Sequence, residues 1–159
     1  MSASATMRVP AVGESAPDFT LASTAGSMVT LSGFRGQHHV LVAFFPLAFT
    51  SVCTAELCSM GDEYDAFTTP DVVVLPISVD YVPSLREFKA KYKMPLDLLS
   101  DFRREVSRLY GTLLEEKFFS NRAYVVIDRR GIVRWTHAES TTGSRRENQD
   151  LLAELKRLG

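Results

Sequence analysis

Residues 39–46, His39-Val40-Leu41-Val42-Ala43-Phe44-Phe45-Pro46, make a nearly continuous apolar run that ends at a proline. A run of that length and character predicts a strand buried on both faces, and such a strand requires a sheet with cover on each side. Residues 71–80 hold a second run, with Val72, Val73, Val74, Leu75, Ile77 and Val79. Pro76 lies within it. Proline cannot donate to a ladder, so a bulge or an unpaired edge is expected there. Between the two runs, residues 51–67 have helical spacing: Cys53, Leu57, Met60 and Tyr64 recur at steps of three and four and share one stripe.

The remaining elements follow from similar signals. Short apolar pieces at 19–21 and 29–31 flank Ser23-Thr24-Ala25-Gly26-Ser27 and read as a small hairpin. Gly33-Phe34-Arg35-Gly36 reads as a turn. Pro83 and Ser84 open a helix through Leu85, Phe88 and Tyr92 that Met94-Pro95 ends. Asp101 is placed to cap a short helix through Val106, Leu109 and Tyr110, stopped by Gly111. Residues 123–127 read as a strand, Asp128-Arg129-Arg130-Gly131 as a type I turn, and 132–136 as the returning strand. Residues 147–158 close the chain as an amphipathic helix, with Leu151, Leu152, Leu155 and Leu158 on one side. The order is a β-hairpin, then β, α, β, α, α, β, β, α, which implies an α/β fold with a mixed central sheet flanked by helices on both faces. No repeat and no long linker divides the chain. The expected organisation is a tail over residues 1–11 and a single domain over 12–159.

Composition narrows the function classes. The 159 residues are enough for one domain with a real core. The net charge of −1 gives no reason to expect nucleic acid or an anionic membrane as a partner. No apolar run approaches the ~20 residues that cross a bilayer, and residues 1–11 lack the apolar core of a signal peptide. Two cysteines do not make a disulfide framework. They fit a reducing, cytoplasmic setting in which thiols are catalytic or inert. His38, His39 and His137 have no metal-ligand spacing with the cysteines or with each other, so neither a metal nor a cofactor is expected.

The chemistry gathers at Cys53. It follows a buried strand and falls in the first turn of a helix, where unpaired N–H groups and the positive dipole end favour a thiolate, the reactive form of the side chain. Thr50 or Ser51 fits the N-cap position, with Glu56 a few places inside the helix. The Thr50 hydroxyl lies three residues before Cys53, within reach of the sulfur or of a bound ligand. Phe45 and Pro46 are placed to wall the site from water. A basic group from another strand would stabilise the thiolate further. Arg122, at the start of the strand 123–127, can reach the same edge of the sheet. The plainer reading of Arg122 is a solvated charge at a strand end. A cysteine that opens the helix after the first buried strand is also the layout of the thioredoxin fold.

Pro46-Leu47-Ala48-Phe49-Thr50-Ser51-Val52-Cys53 resembles the Pro-x-x-x-Thr/Ser-x-x-Cys signature of the peroxiredoxins. The resemblance extends to Ala16-Pro17-Asp18-Phe19, Ile77-Ser78-Val79-Asp80, Leu98-Leu99-Ser100-Asp101 and the stretch from Arg122 to Ile132. These pieces stand in family order over roughly residues 13–137. They are similar to the alkyl hydroperoxidase E and bacterioferritin comigratory protein (peroxiredoxin Q) subfamilies.

The resemblance implies a thioredoxin-like fold and a thiol peroxidase that takes hydrogen peroxide or organic hydroperoxides. In it, Cys53 is the peroxidatic cysteine, Thr50 and Arg122 bind the two peroxide oxygens, and Pro46 shields the sulfenic acid. Glu56 matches a family position from which the arginine is oriented; the alternative is an exposed first-turn glutamate with no role beyond its helix position. Family members with a cysteine five residues later use it to resolve the sulfenic acid, which gives Cys58 that role; the alternative for Cys58 is a small buried residue. Five helical residues rise ~7.5 Å and turn ~500°, leaving Cα atoms ~8.7 Å apart, whereas a disulfide tolerates at most ~7 Å. Residues 51–60 must therefore unwind for the pair to bond. Thioredoxin or another thiol reductant would regenerate the enzyme, and the state is monomer or homodimer. Three alternatives are a one-cysteine mechanism resolved by an external thiol, a thioredoxin-type disulfide oxidoreductase, and a non-enzymatic holdase. The oxidoreductase would need Cys-x-x-Cys, and the holdase would not need Thr50, Cys53 and Arg122 together.

Overall fold

A computed structural model describes residues 8–158. The elements in chain order are β1 (Thr20–Ser23), β2 (Met28–Thr30), a 3-10 turn (Leu31–Phe34), β3 (His39–Phe44), α1 (Ser51–Asp62), α2 (Tyr64–Phe67), β4 (Val72–Ser78), α3 (Val82–Lys91), β5 (Leu99–Ser100), α4 (Glu105–Leu109), β6 (Leu113–Leu114), β7 (Phe119–Ser120), β8 (Ala123–Ile127), β9 (Val133–Ala138) and α5 (Asn148–Lys156). Seven strands form one mixed sheet in the order β2-β1-β5-β4-β3-β8-β9, and β6 pairs β7 in a separate two-stranded ribbon. β3 runs parallel to β4 and antiparallel to β8, so the strand before Cys53 and the strand after Arg122 lie side by side.

Every residue of β3 is buried, as the unbroken apolar run requires. Alternation divides it between two cores. Leu41, Ala43 and Phe45 face Cys53, Leu57 and Met60 of α1, Leu85 and Phe88 of α3, and Leu151 and Leu155 of α5. Val40, Val42 and Phe44 face Phe19, Leu31, Val106 and Tyr110 on the opposite side. Leu57 and Met60 are fully buried, and each contributes about 1.5–3 kcal/mol by leaving water.

Pro76 is tolerated for a reason visible in the pairing. The Ile77 carbonyl accepts from Phe45 N at 2.9 Å, so Ile77 faces β3 and the neighbouring Pro76 faces β5. The pairing with β5 begins only opposite Ile77. The missing N–H therefore falls on the side of β4 that has no partner strand at that point, the unpaired edge anticipated from the sequence.

Four features depart from the sequence reading. The helix anticipated over 51–67 breaks at Glu63 (φ −110°, ψ 30°) into α1 and α2. Gly61, a poor helix former, precedes the break. β5, β6 and β7 have two residues each, too few to show a period. The cap of α4 comes from further back than a normal N-cap: the Asp101 carboxylate accepts from Val106 N at 3.1 Å and Ser107 N at 2.6 Å. Lastly, residues 1–7 of the expected tail lie outside the described residues, but residues 8–11 pack against the domain. Pro10 is buried, Arg8 pairs with Glu14 at 2.8 Å, and Gly13 N donates to Val133 O at 2.8 Å. Gly111, at φ +68°, makes room for this segment: a Cβ there would lie 2.3 Å from the Arg8 carbonyl carbon.

Candidate active site

The loop from Phe45 to Thr50 carries the chain from the end of β3 to the start of α1. Asp80, just beyond β4, holds it: Oδ2 accepts from Ala48 N at 2.8 Å and from Ser78 Oγ at 2.7 Å. Phe49 takes a left-handed conformation, φ 67°, which is uncommon outside glycine. Its ring lies 5.0 Å from that of Phe88. Pro46 is buried beneath the loop. Thr50 occupies the N-cap position, but its side chain does not cap the helix. The hydroxyl donates instead to the Leu47 carbonyl at 2.7 Å.

Cys53 is the third residue of α1 and is 1% exposed. Arg122 Nη2 donates to its sulfur at 3.1 Å. The same nitrogen donates to the Thr142 carbonyl at 3.1 Å, and Nη1 donates to Glu56 Oε1 at 2.7 Å. Arg122 Nε is buried with no protein partner. Arg122 is also 1% exposed, so the plainer reading of a solvated strand-end charge is wrong. Burial opposes its charge, but Glu56 and Cys53 outweigh burial and push the guanidinium above its usual range.

Glu56 is likewise not the exposed first-turn residue that the sequence allowed. It is 1% exposed, sits in the second turn, and accepts from Arg122 through one oxygen and from the Tyr124 hydroxyl through the other. Burial pushes its carboxyl up, and Arg122 and Tyr124 oppose that shift. Two sequence signals point to this network. Glu56 is three residues after Cys53 and four before Met60, so it shares the buried face of the helix. Tyr124 is two residues after Arg122, so both side chains leave the extended chain on the same face.

Cys58 is half-buried, and both cysteines are free thiols. Burial, and Asp62 beside it, push the Cys58 thiol up. Its stripe carries Ser51, Ala55 and Asp62, all exposed. His39 is buried with neither ring nitrogen paired, and His137 is stacked between Tyr124 and Trp135. Among the described residues, no group of three or more His, Cys, Asp or Glu side chains is placed to hold a metal. A groove of about 580 Å³ between the β6–β7 ribbon and residues 140–142 borders the site through Thr142.

Comparison with known proteins places the chain in a family. The model of the AhpC/TSA family matches residues 12–136. Alkyl hydroperoxide reductase E of Mycobacterium tuberculosis is 41% identical over 126 residues, covering 78% of this chain and 82% of that protein. A protein named putative peroxiredoxin bcp, from Coxiella burnetii, is 35% identical over 128 residues, covering 77% and 84%. Among solved structures, the reduced 2-Cys peroxiredoxin of Plasmodium vivax superposes with a TM-score of 0.81 at 32% identity, over 89% of this chain and 78% of that one. Peroxidoxin BcpB of Mycobacterium tuberculosis does so with a TM-score of 0.81 at 26% identity, over 93% and 97%.

Proposed function

We propose, on the premise that the chain belongs to the AhpC/TSA family and is a thiol-dependent peroxidase, that Cys53 is its peroxidatic cysteine and that Thr50, Arg122 and Pro46 complete the peroxide site. The reading rests on one observation: a buried guanidinium donates to the Cys53 sulfur at 3.1 Å while Glu56 holds its charge. A thiolate beside that cation attacks the terminal oxygen of a hydroperoxide. The S–O bond forms as the O–O bond breaks, and the electron pair leaves with the second oxygen, which takes a proton and departs as water or an alcohol. Sulfur becomes a sulfenic acid, oxidised by two electrons, and the peroxide is reduced by two. Arg122 Nε, buried and unpaired, is one donor for the peroxide oxygens; the Thr50 hydroxyl is the other once its single proton turns from the Leu47 carbonyl to the ligand. Both stabilise the charge that develops there. Pro46 limits access of a second peroxide to the sulfenic acid.

Cys58 then attacks the Cys53 sulfur, water leaves, and a disulfide forms. A thiol reductant returns the two electrons. For an intramolecular disulfide we propose a dithiol protein of the thioredoxin kind, in the cytoplasm. Among the described residues, no helix is long and apolar enough to cross a membrane. The raised Cys58 thiol becomes a competent nucleophile once α1 opens and water reaches it. A one-cysteine mechanism, with an external thiol doing the resolving, is favoured by the unbroken run of α1 across both cysteines. Peroxide consumption by the wild type and by Cys53→Ser tests the first step, and equal rates would refute it. Intact mass after one equivalent of peroxide separates the two resolving routes: loss of two hydrogens supports Cys58, and a stable sulfenic acid unchanged by Cys58→Ser supports the external thiol.

A further inference from the structure

We propose that Tyr124 is a positioning residue for peroxide reduction: its hydroxyl occupies one oxygen of Glu56 and so keeps Arg122 Nη2 committed to the Cys53 sulfur. This rests on the peroxidase reading with Cys53 as nucleophile.

A guanidinium and a carboxylate in contact favour two parallel hydrogen bonds. Arg122 and Glu56 are both 1% exposed and in contact at 2.7 Å, yet only Nη1 engages the carboxylate. A second bond across the end of the guanidinium would need Nη2, the nitrogen that donates to Cys53 and to the Thr142 carbonyl. Glu56 Oε2 is turned to the Tyr124 hydroxyl instead. A free Oε2 would draw Nη2 from the sulfur, and the cation would be spent on the glutamate.

The hydroxyl is oriented for this task. It accepts from Arg146 N at 3.0 Å, so its own single proton points to Glu56. Burial and the adjacent Glu56 carboxylate push the phenol up, and it keeps that proton. The ring is fully buried and lies nearly parallel to His137, at an interplanar angle of 18°. Neither the strand nor the core requires a hydroxyl at this position. Phenylalanine would fill the same space and leave Oε2 without its donor.

The test is a cycle of Tyr124→Phe, Glu56→Gln and the double variant, with the rate constant for reduced protein and hydrogen peroxide measured by rapid mixing. Misplacing the cation should slow Tyr124→Phe by about 10- to 100-fold. In the Glu56→Gln background, the same change should alter the rate by less than about 2-fold, because the two residues act through one contact. The ultraviolet absorbance of the thiolate at neutral pH should fall in Tyr124→Phe, with a melting curve confirming a folded protein. A wild-type rate in Tyr124→Phe overturns the inference. So does an equal fold-loss in both backgrounds, which would make Tyr124 a support of the fold. Fluorotyrosine at position 124 keeps a hydroxyl that donates to Glu56 and should hold the wild-type rate within about 3-fold; a loss as large as that of Tyr124→Phe is also a refutation. A wild-type protein that consumed peroxide no faster than Cys53→Ser would instead sink the peroxidase reading.

Discussion

If Cys53 and Cys58 bond only after α1 opens, then weakening the helix between them must speed disulfide formation and leave the peroxide step alone. Ala55 is the residue to change. It lies between the cysteines on an exposed face, so replacing it disturbs no core contact. Ala55→Gly removes helix propensity worth about 0.5–1 kcal/mol, and only in the closed state, so the opening equilibrium should rise about 2- to 5-fold. Disulfide formation from the opened segment should quicken by the same factor. Opening has a real cost, because Leu57 and Met60 are fully buried on the inner face of the same turns. The closed form therefore dominates, and the observed rate tracks the equilibrium. The assay is rapid mixing with peroxide, quenching with an alkylating agent, and intact mass. Loss of the free thiol gives the first phase and loss of two hydrogens the second. The first phase should change by less than about 2-fold, while the melting temperature falls by about 1–4 °C. A second phase that is unchanged or slower, alongside the lower melting temperature, would refute the reasoning: the cysteines would then meet without the helix opening, or not meet at all.

Other changes read out other parts of the structure. Cys58→Ser should keep the peroxide reaction of Cys53 but let the sulfenic acid accumulate and go on to sulfinic acid under excess peroxide, visible as a gain of two oxygens by mass. Asp128 is held below the usual carboxylate range; its burial is outweighed by hydrogen bonds from Ile132 N, Arg134 and Arg130 N. A lowered folded pKa means stability that is present above about pH 4, the unfolded value, and lost as pH falls through the folded value. Asp128→Asn should cost about 1 kcal/mol at neutral pH and flatten that acid loss in denaturant titrations, because an amide still accepts but carries no charge to lose. Gly111→Ala meets both a positive φ and the Arg8 backbone. It should destabilise by more than about 1 kcal/mol and expose residues 8–13 to protease; a digestion pattern like wild type would remove that segment from the fold.

The sequence was most legible where a long period or a long run was present. β3, α3, β8 and α5 came within a residue or two of their ends, because each is long enough to declare its pattern. The two-residue strands had no period to read, and the break at Glu63 lies inside a stripe that continues through Tyr64 and Phe67 on both sides of it. Cys53 and Arg122 could be brought together from topology alone, since one strand ends where its antiparallel neighbour begins. Glu56 was harder. A glutamate in a helix near its N-terminus has a sufficient surface explanation, and only its position on the Cys53–Met60 face argues otherwise. Tyr124 falls within the strand expected over 123–127, but nothing local assigns its hydroxyl, because its partner lies 68 residues away in sequence.

Glu56 stands between the two cysteines, and Asn148 of α5 grips the same helix through Ser59 O at 3.1 Å and Ser59 Oγ at 2.9 Å. A disulfide across residues 53–58 would pull Glu56 from Arg122 and loosen that grip, so a molecule that has met one peroxide is blind to the next until it is reset. Its two redox forms would differ in shape as well as in mass, and a reductant could choose its client by the loosened segment instead of searching for a buried sulfur.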